Sequence, residues 1–372
     1  MKRLGVLMAV VGVILLFSGV AVAKVTGPCA DCHTMHYSQN GGELSGWGTE
    51  GPYQNLLVNS CVGCHTGEND GTNTTPYVFS ETEPSYGTNT LAGGNFYWVA
   101  HGCDECGHNV TDIPGVSQDQ NFTQTPGLVS GKTCSACHGS GNMVLEPKEV
   151  NGVYYSGCQF CHCVRHHGDD SGPVVGLDDT PVNSRGKYLK PKYRFLDLTT
   201  YCNPGNHCDF AEGTYNFYGV AGIEDDDWEY TVSSSDHNEY CGAASSGDYD
   251  GASHSISRYC AACHWGFYGD NTGHWKRHPS DIALPDSGEY ADYTTYNPLA
   301  PIARPESTLT GMTAASSTVT PGEDQVSCLS CHRAHGSPYP DMLRWDYENE
   351  CKAGTSDPDC GCFVCHTKKG GS

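Results

Sequence analysis

Apolar positions crowd one end of this chain and are thin elsewhere. Leu4 to Val20 is an apolar run broken only by Gly and Ser, with Lys2 and Arg3 before it and Ala21-Val22-Ala23 after it. A short basic start, an apolar stretch and small residues at a cleavage point form an export signal. Residues 1–23 are therefore expected to be removed and residues 24–372 to form a single unit. An uncleaved anchor is the alternative, since the run is almost long enough to span a bilayer. No later stretch is apolar enough to cross one.

Beyond the leader the pattern gives little regular structure. Residues 69–133 are rich in Thr, Gly and Asn and sustain no helical period; Gly93-Gly94-Asn95-Phe96-Tyr97-Trp98-Val99 predicts one short aromatic strand. With 46 Gly and 20 Pro, the expected fold is mostly irregular coil with short helices and few short strands. Hydrophobic residues make up 37% of the chain, a figure that already includes 22 Cys and 22 Tyr. Aliphatic side chains are too few for an ordinary core of this length, so something else must fill the interior.

The cysteines suggest what that is. Cys-x-x-Cys-His occurs seven times: Cys29/Cys32/His33, Cys61/Cys64/His65, Cys134/Cys137/His138, Cys158/Cys161/His162, Cys260/Cys263/His264, Cys328/Cys331/His332 and Cys362/Cys365/His366. Two thiols on one side of a helical turn can form thioethers with the vinyl groups of a haem, and the next His then reaches the iron. One copy could equally be a zinc site or a redox disulfide. Seven copies, each with His in the fifth place, point to haem c. The expected number is seven, or six if the fourth motif, crowded by Cys163, closes a disulfide instead. Flat buried porphyrins would supply the missing apolar volume, organising the fold around a stacked haem array.

Each iron needs a second axial ligand. Of the 18 His, seven sit in motifs and eleven remain. His36 and His335 follow motif histidines by three residues, on the same face of a helical turn, so each should ligate a haem other than the adjacent one. Cys103-Asp-Glu-Cys106-Gly107-His108 has one residue too many for a haem motif: its thiols should oxidise together or pair elsewhere, freeing His108 as a distal ligand. His278 sits in a loop fixed by Pro279. His166 and His167 both follow the fourth motif at reachable positions. The distal set is taken as His36, His108, His167, His237, His278 and His335, with the seventh left open among His254, His207, His274, His101 and His166. Met35, Met143, Met312 and Met342 are less well placed. The irons should then be bis-His, six-coordinate and of low potential, with no open position for a substrate. That argues for an electron-transfer protein, not an enzyme.

Among the remaining cysteines, Cys351 and Cys360 would close a clasp around a Gly-Thr-Ser-Asp-Pro loop. Pairing of Cys103, Cys106, Cys163, Cys202, Cys208 and Cys241 stays open. The formal net charge is −23, and loss of Lys2 and Arg3 with the leader makes it more negative. Such a surface repels nucleic acid and anionic lipid and favours cationic partners or metal ions. The acidic run Glu224 to Glu229 reads as a solvated loop. The sequons at Asn73, Asn109 and Asn121 are weak signals of glycosylation.

Four islands of sequence carry a resemblance: Lys24 to His36, Gly93 to Val110, Arg277-His278-Pro279 and Cys328 to His335. They resemble the outer-surface multihaem c-type cytochromes of metal-reducing bacteria, the OmcS/OmcE type. The resemblance implies secretion through the periplasm to the outer cell surface or beyond, and polymerisation into an extracellular filament with a continuous haem row. It implies that His36 crosses a subunit junction to ligate a haem of the next copy, while His108, His278 and His335 act within one copy. It also implies electron transfer to redox partners and external acceptors such as metal oxides. Six motifs follow the hexahaem pattern, and Cys158 to His162 looks like an addition. A monomeric periplasmic electron shuttle and a multihaem reductase with one open haem are the competing readings.

Overall fold

In each described haem motif the backbone closes a single turn. The N–H of the fifth-place His donates to the carbonyl of the first Cys: His65 to Cys61 at 3.0 Å, His162 to Cys158 at 2.9 Å, His332 to Cys328 at 3.1 Å and His366 to Cys362 at 2.9 Å. An i→i−4 bond of this kind gathers both thiols and the imidazole on one short arc. The structure is a computed structural model. It describes residues 61–117, 219–249, 254–268 and 277–369, with short pieces at 33, 38–39, 42–43, 125–127, 148–150, 153–155, 157–162, 164, 166 and 193–196.

The motif turns supply much of the helix. They are α1 (Val62–His65), the C-terminal half of α3 (Ile256–His264), α6 (Cys362–Cys365), and the 3-10 turns Gly157–Phe160 and Cys328–Ser330. Only α3 exceeds two turns among the described residues. It is started by Ser255, whose side chain accepts from the N–H groups of Ser257 and Arg258. The Ser255 hydroxyl in turn donates to Asp281 Oδ2 at 2.6 Å. Two further short helices are α4 (Glu306–Thr310) and α5 (Tyr347–Glu350).

The aromatic segment corrects one expectation. Tyr97–Ala100 is a helical turn, α2, and not a strand. Gly94 turns the chain at φ +80°, and the Asn95 side chain accepts from the Tyr97 N–H at 2.9 Å, which starts the turn. Burial follows the helical spacing, since both Trp98 and Val99 face inward.

Two-stranded hairpins pair β1 (Ser38–Gln39) with β2 (Gly42–Glu43) and β3 (Lys148–Val150) with β4 (Val153–Tyr155). The larger sheet has five strands in the order β5-β6-β8-β9-β7: β5 (Gly222–Ile223), β6 (Glu239–Cys241), β7 (Ile282–Ala283), β8 (Ala303–Arg304) and β9 (Gln325–Val326). Only the β6–β8 pair is parallel; the others are antiparallel. Thus the Pro-rich spacer from Pro298 to Pro321 carries β8 and α4. The sheet is pinned through buried Arg304, which donates to Glu239 Oε2 at 2.8 Å and to Asp324 Oδ2 at 2.7 Å. Burial pushes the Glu239 carboxyl up, but hydrogen bonds from His237 and Arg304 outweigh it and hold the group below its usual range.

Apolar side chains form small clusters, three of which touch a haem motif. Phe79, Phe96, Val99, Val110 and Ile113 pack with Val62 and Cys158; Tyr193, Val220, Tyr240, Ile256 and Ala303 pack with Tyr259 and Leu329; Leu284, Tyr293, Tyr296, Ile302, Val319 and Val326 pack with Val364 and Cys365. This is the thin, divided interior that the composition implies. No helix among the described residues is long and apolar enough to cross a membrane.

Candidate functional site

Histidines meet in pairs. His65 lies 6.3 Å from His166 between ring centroids, His162 6.0 Å from His335, His264 6.1 Å from His108, and His366 6.3 Å from His278. Each pair joins a motif histidine to a histidine outside any motif. The spacing is too wide for ring-to-ring contact and too regular for chance packing. Two metal–nitrogen bonds of about 2 Å plus the two ring half-widths sum to about 6 Å, which is what two imidazoles on opposite sides of one iron require. The motif thiols flank the same positions, so the donor set fits haem c.

The motif thiols differ in how far the protein's own atoms cover them. Cys61, Cys158, Cys161, Cys260, Cys263, Cys328, Cys331, Cys362 and Cys365 are half-buried, and Cys64 is exposed. Cys64 and Cys263 show the physical reason. Cys64 sits on α1, a single turn with no buried residue, where its N–H donates to Cys61 O at 3.1 Å. Cys263 lies in the last turn of α3, whose buried face runs through Ser257, Arg258 and Ala261. Two residues past Ala261 a helix has turned by about 200°, so Cys263 leaves that face. Both keep the three-residue spacing from Cys61 and Cys260 that holds a thiol pair on one side of a turn.

The other nitrogen of each ring tells the same story. His65 Nδ1 donates to Pro76 O at 2.8 Å, His162 to Arg194 O at 2.9 Å, His264 to Pro126 O at 2.9 Å and His332 to Asp341 O at 2.7 Å. Outside the motifs, His108 donates to Ala334 O at 2.6 Å and His278 to Pro279 O at 3.0 Å. A carbonyl on Nδ1 fixes the tautomer and directs Nε2 at the metal. His366 differs, for its Nδ1 faces the Glu289 carboxylate at 3.3 Å. Burial lowers the pKa of His108, His162 and His278. His335 is pushed down to about 3, by burial first and then by the charges of His162 and His108. These rings stay neutral, which is the form that binds metal.

Two of the sequence islands build the pocket for His335 together. Its N–H donates to Gly93 O at 2.8 Å, and the Asn95 N–H donates to Gly336 O at 3.1 Å. The His335 ring stacks on Phe96 at 4.9 Å. A Cβ on Gly93 would come within 2.7 Å of His335 Nδ1, which explains a glycine there. Ala334 and His335 thus serve two neighbours, one by its carbonyl on His108 and the other by its ring beside His162.

The motifs themselves abut. Tyr259, just before the fifth motif, donates its hydroxyl to Cys161 O of the fourth. The sixth motif meets α3, the helix of the fifth, where the Cys328 N–H donates to Ser257 Oγ at 3.3 Å. The sixth motif lies beside the seventh, since Val326, two residues before Cys328, shares an apolar cluster with Val364 and Cys365.

Other expected ligands are placed differently. His237 is fully buried with both nitrogens engaged, Nδ1 at 3.1 Å from Ser233 O and Nε2 at 3.3 Å from Glu239 Oε1, and its ring stacks on Tyr296 at 3.4 Å. Its environment is that of a sheet-anchoring group. His166, one of the candidates for the seventh ligand, is the residue beside His65. His254 is buried and its Nδ1 donates to Gly219 O at 2.9 Å, the pattern of the paired histidines. His101 stacks on Tyr97 at 3.9 Å and bonds its carbonyl. His33 is half-buried. Residues 1–23, Cys29, Cys32, His36, Cys134, Cys137, His138 and His167 lie outside the described residues. Glu289 had no signal in the sequence.

Cys103 pairs with Cys106 and Cys351 with Cys360. The near-miss motif is therefore a disulfide whose following histidine, His108, faces the fifth motif. Cys241 is buried.

The profile of a doubled CXXCH motif family matches residues 320–371, which hold the sixth and seventh motifs. Over 383 aligned residues the chain is 24% identical to the C-type cytochrome OmcS of Geobacter sulfurreducens, covering 87% of this chain and 79% of that protein. The resemblance is to OmcS-type multihaem cytochromes. Among solved structures, the outer membrane cytochrome S filament of Geobacter sulfurreducens gives a TM-score of 0.49 at 20% identity, covering 90% of this chain and 86% of that one. The OmcS nanowires from the same organism give 0.46 at 19% identity, covering 93% of each chain. The OmcS-type likeness agrees with the coil-rich fold and the repeated Cys-x-x-Cys-His turns described above.

Proposed function

We propose that this chain is a secreted multihaem c-type cytochrome that carries single electrons along a row of bis-His haems. In this reading it polymerises through His36 into an extracellular filament and delivers electrons to acceptors such as metal oxides. The observation that carries the reading is the set of four histidine pairs at 6.0 to 6.3 Å. At these four sites imidazoles on both sides leave no coordination position for a substrate, which favours electron transfer over catalysis.

Haem c supplies a one-electron iron couple; the protein's residues supply spacing, orientation and dielectric. The motif thiols anchor each group, and carbonyls on Nδ1 hold the ligand rings in one tautomer. The turn from His162 to His166 ties the second site to the fourth. Tyr259 ties the fourth to the fifth, the Cys328–Ser257 hydrogen bond ties the fifth to the sixth, and Val326 packs the sixth against the seventh. Among the described motifs the order along the row is then second, fourth, fifth, sixth, seventh, with the fourth inside it.

Electron microscopy of the purified extracellular fraction, with intact mass, tests this. Filaments with seven porphyrins per copy and a wholly low-spin oxidised spectrum are expected. Single copies with a low-spin spectrum would mean a periplasmic shuttle, and a high-spin iron would support a reductase.

A further inference from the structure

We propose that Glu289 sets the reduction potential of the haem at the seventh motif, drawing it below that of its neighbours. The inference rests on the reading that His366 and His278 hold a haem between them.

Four motif histidines donate Nδ1–H to a neutral backbone carbonyl, whereas His366 meets a carboxylate, Glu289 Oε1 at 3.3 Å. The contact is built. Thr367 Oγ1 donates to Glu289 O at 2.6 Å, so the residue after the ligand grips the backbone of the residue that faces the ligand. The Tyr290 ring stands edge-on to His366 at 5.1 Å. The Glu289 side chain is 13% exposed.

A carboxylate that accepts from Nδ1–H draws the proton toward itself and leaves the ring with imidazolate character. Such a ring is a stronger donor and stabilises ferric over ferrous iron. The negative charge acts in the same direction. Lys369 opposes it, with Nζ 3.7 Å from the same Oε1. Lys368 instead faces Asp292 at 3.6 Å. On the far side of the site His278 has an ordinary partner, Pro279 O, so the asymmetry comes from Glu289. The step affected is addition of one electron from an electrode-poised mediator, ferric to ferrous, with no bond made or broken.

The test is a spectroelectrochemical titration of the full exported holoprotein and two variants, with intact mass to count haems. Glu289→Gln keeps the shape and removes the charge. It should shift one of the resolved steps positive by about tenfold in the reduction equilibrium, about 59 mV for one electron. Lys369→Gln, at an exposed lysine, should shift the same step negative. The two ligand planes at this site are inclined at 81°, against 16° at the second motif, so the low-spin EPR signal that changes should be the one from perpendicular ligands. If both variants keep all their haems and every step coincides with the parent, the inference is overturned. If the parent itself lacks a haem at the seventh motif, the ligand reading falls first and the inference with it.

Discussion

His162 and His335 face one another with ring centroids 6.0 Å apart and planes inclined at 54°. One closes the fourth motif and the other trails the sixth, so the pair fastens two haem segments that are distant in sequence. Replacing His335 with Ala should leave one iron with a single protein ligand. A high-spin band should appear in the oxidised spectrum and disappear on adding imidazole. An unchanged low-spin spectrum would remove His335 from the ligand set.

His237→Ala should do the reverse. The ring lies flat on Tyr296 and donates toward Glu239, inside the sheet held by Arg304. Losing it opens a cavity and takes a partner from a buried carboxylate, at a cost on the order of 2–4 kcal/mol. Thermal unfolding should come earlier, while the haem spectrum of the folded protein stays low-spin.

Gly93→Ala should act on His335 at one remove. The added methyl would press on Nδ1 from 2.7 Å, and Gly336 close by fixes the other side of the pocket. A loss of about 1–3 kcal/mol is expected from overpacking, together with a partial high-spin signal. Gly94→Ala should be worse, because φ there is +80° and the new Cβ would run into Gly336 O.

Asp281 gives a pH dependence of known sign. Burial raises its carboxyl to about 6, against the hydrogen bonds from Ser255 and Tyr268 that lower it. Oδ1 is buried without a partner. A group raised in the folded state contributes stability that is complete below its unfolded value, about 3.9, and is lost as pH rises through about 6. Asp281→Asn should therefore gain on the parent between pH 4.5 and pH 8 in melting temperature. Ser255→Ala, which removes the link from Asp281 to the start of α3, should cost about 1 kcal/mol.

The motif turns were legible in the sequence because their hydrogen bond is local: five residues contain both the His N–H and the Cys carbonyl it meets. How deep each thiol sits was not, because the outward Cys64 and the half-buried Cys263 depend on what packs against α1 and α3. His108 and His278 could be singled out for local reasons too, an added Gly107 and a following Pro279. Where long-range packing decides, the sequence was silent. That His166 lies beside His65 is set by contacts about a hundred residues apart in sequence. His237 reads in the sequence as a distal ligand because nothing local sets it apart, and its stacking on Tyr296 and contact with Glu239 come from the packing around β6. Glu289 is 77 residues from His366 and no motif links them. The aromatic stretch misled because its residues favour strands, while the Asn95 side chain and the Gly94 turn start a helix.

The Cys103–Cys106 bond bears on how the chain is made. In the proposed reading, chemically alike Cys-x-x-Cys pairs meet opposite fates, Cys103–Cys106 sealed to itself and the motif pairs kept as thiols until porphyrin arrives. A single inserted glycine before the histidine separates the two outcomes. Deleting Gly107 would place His108 directly after Cys106, making the segment a substrate for haem attachment and stripping the fifth site of its second imidazole, so biogenesis and wiring would fail together.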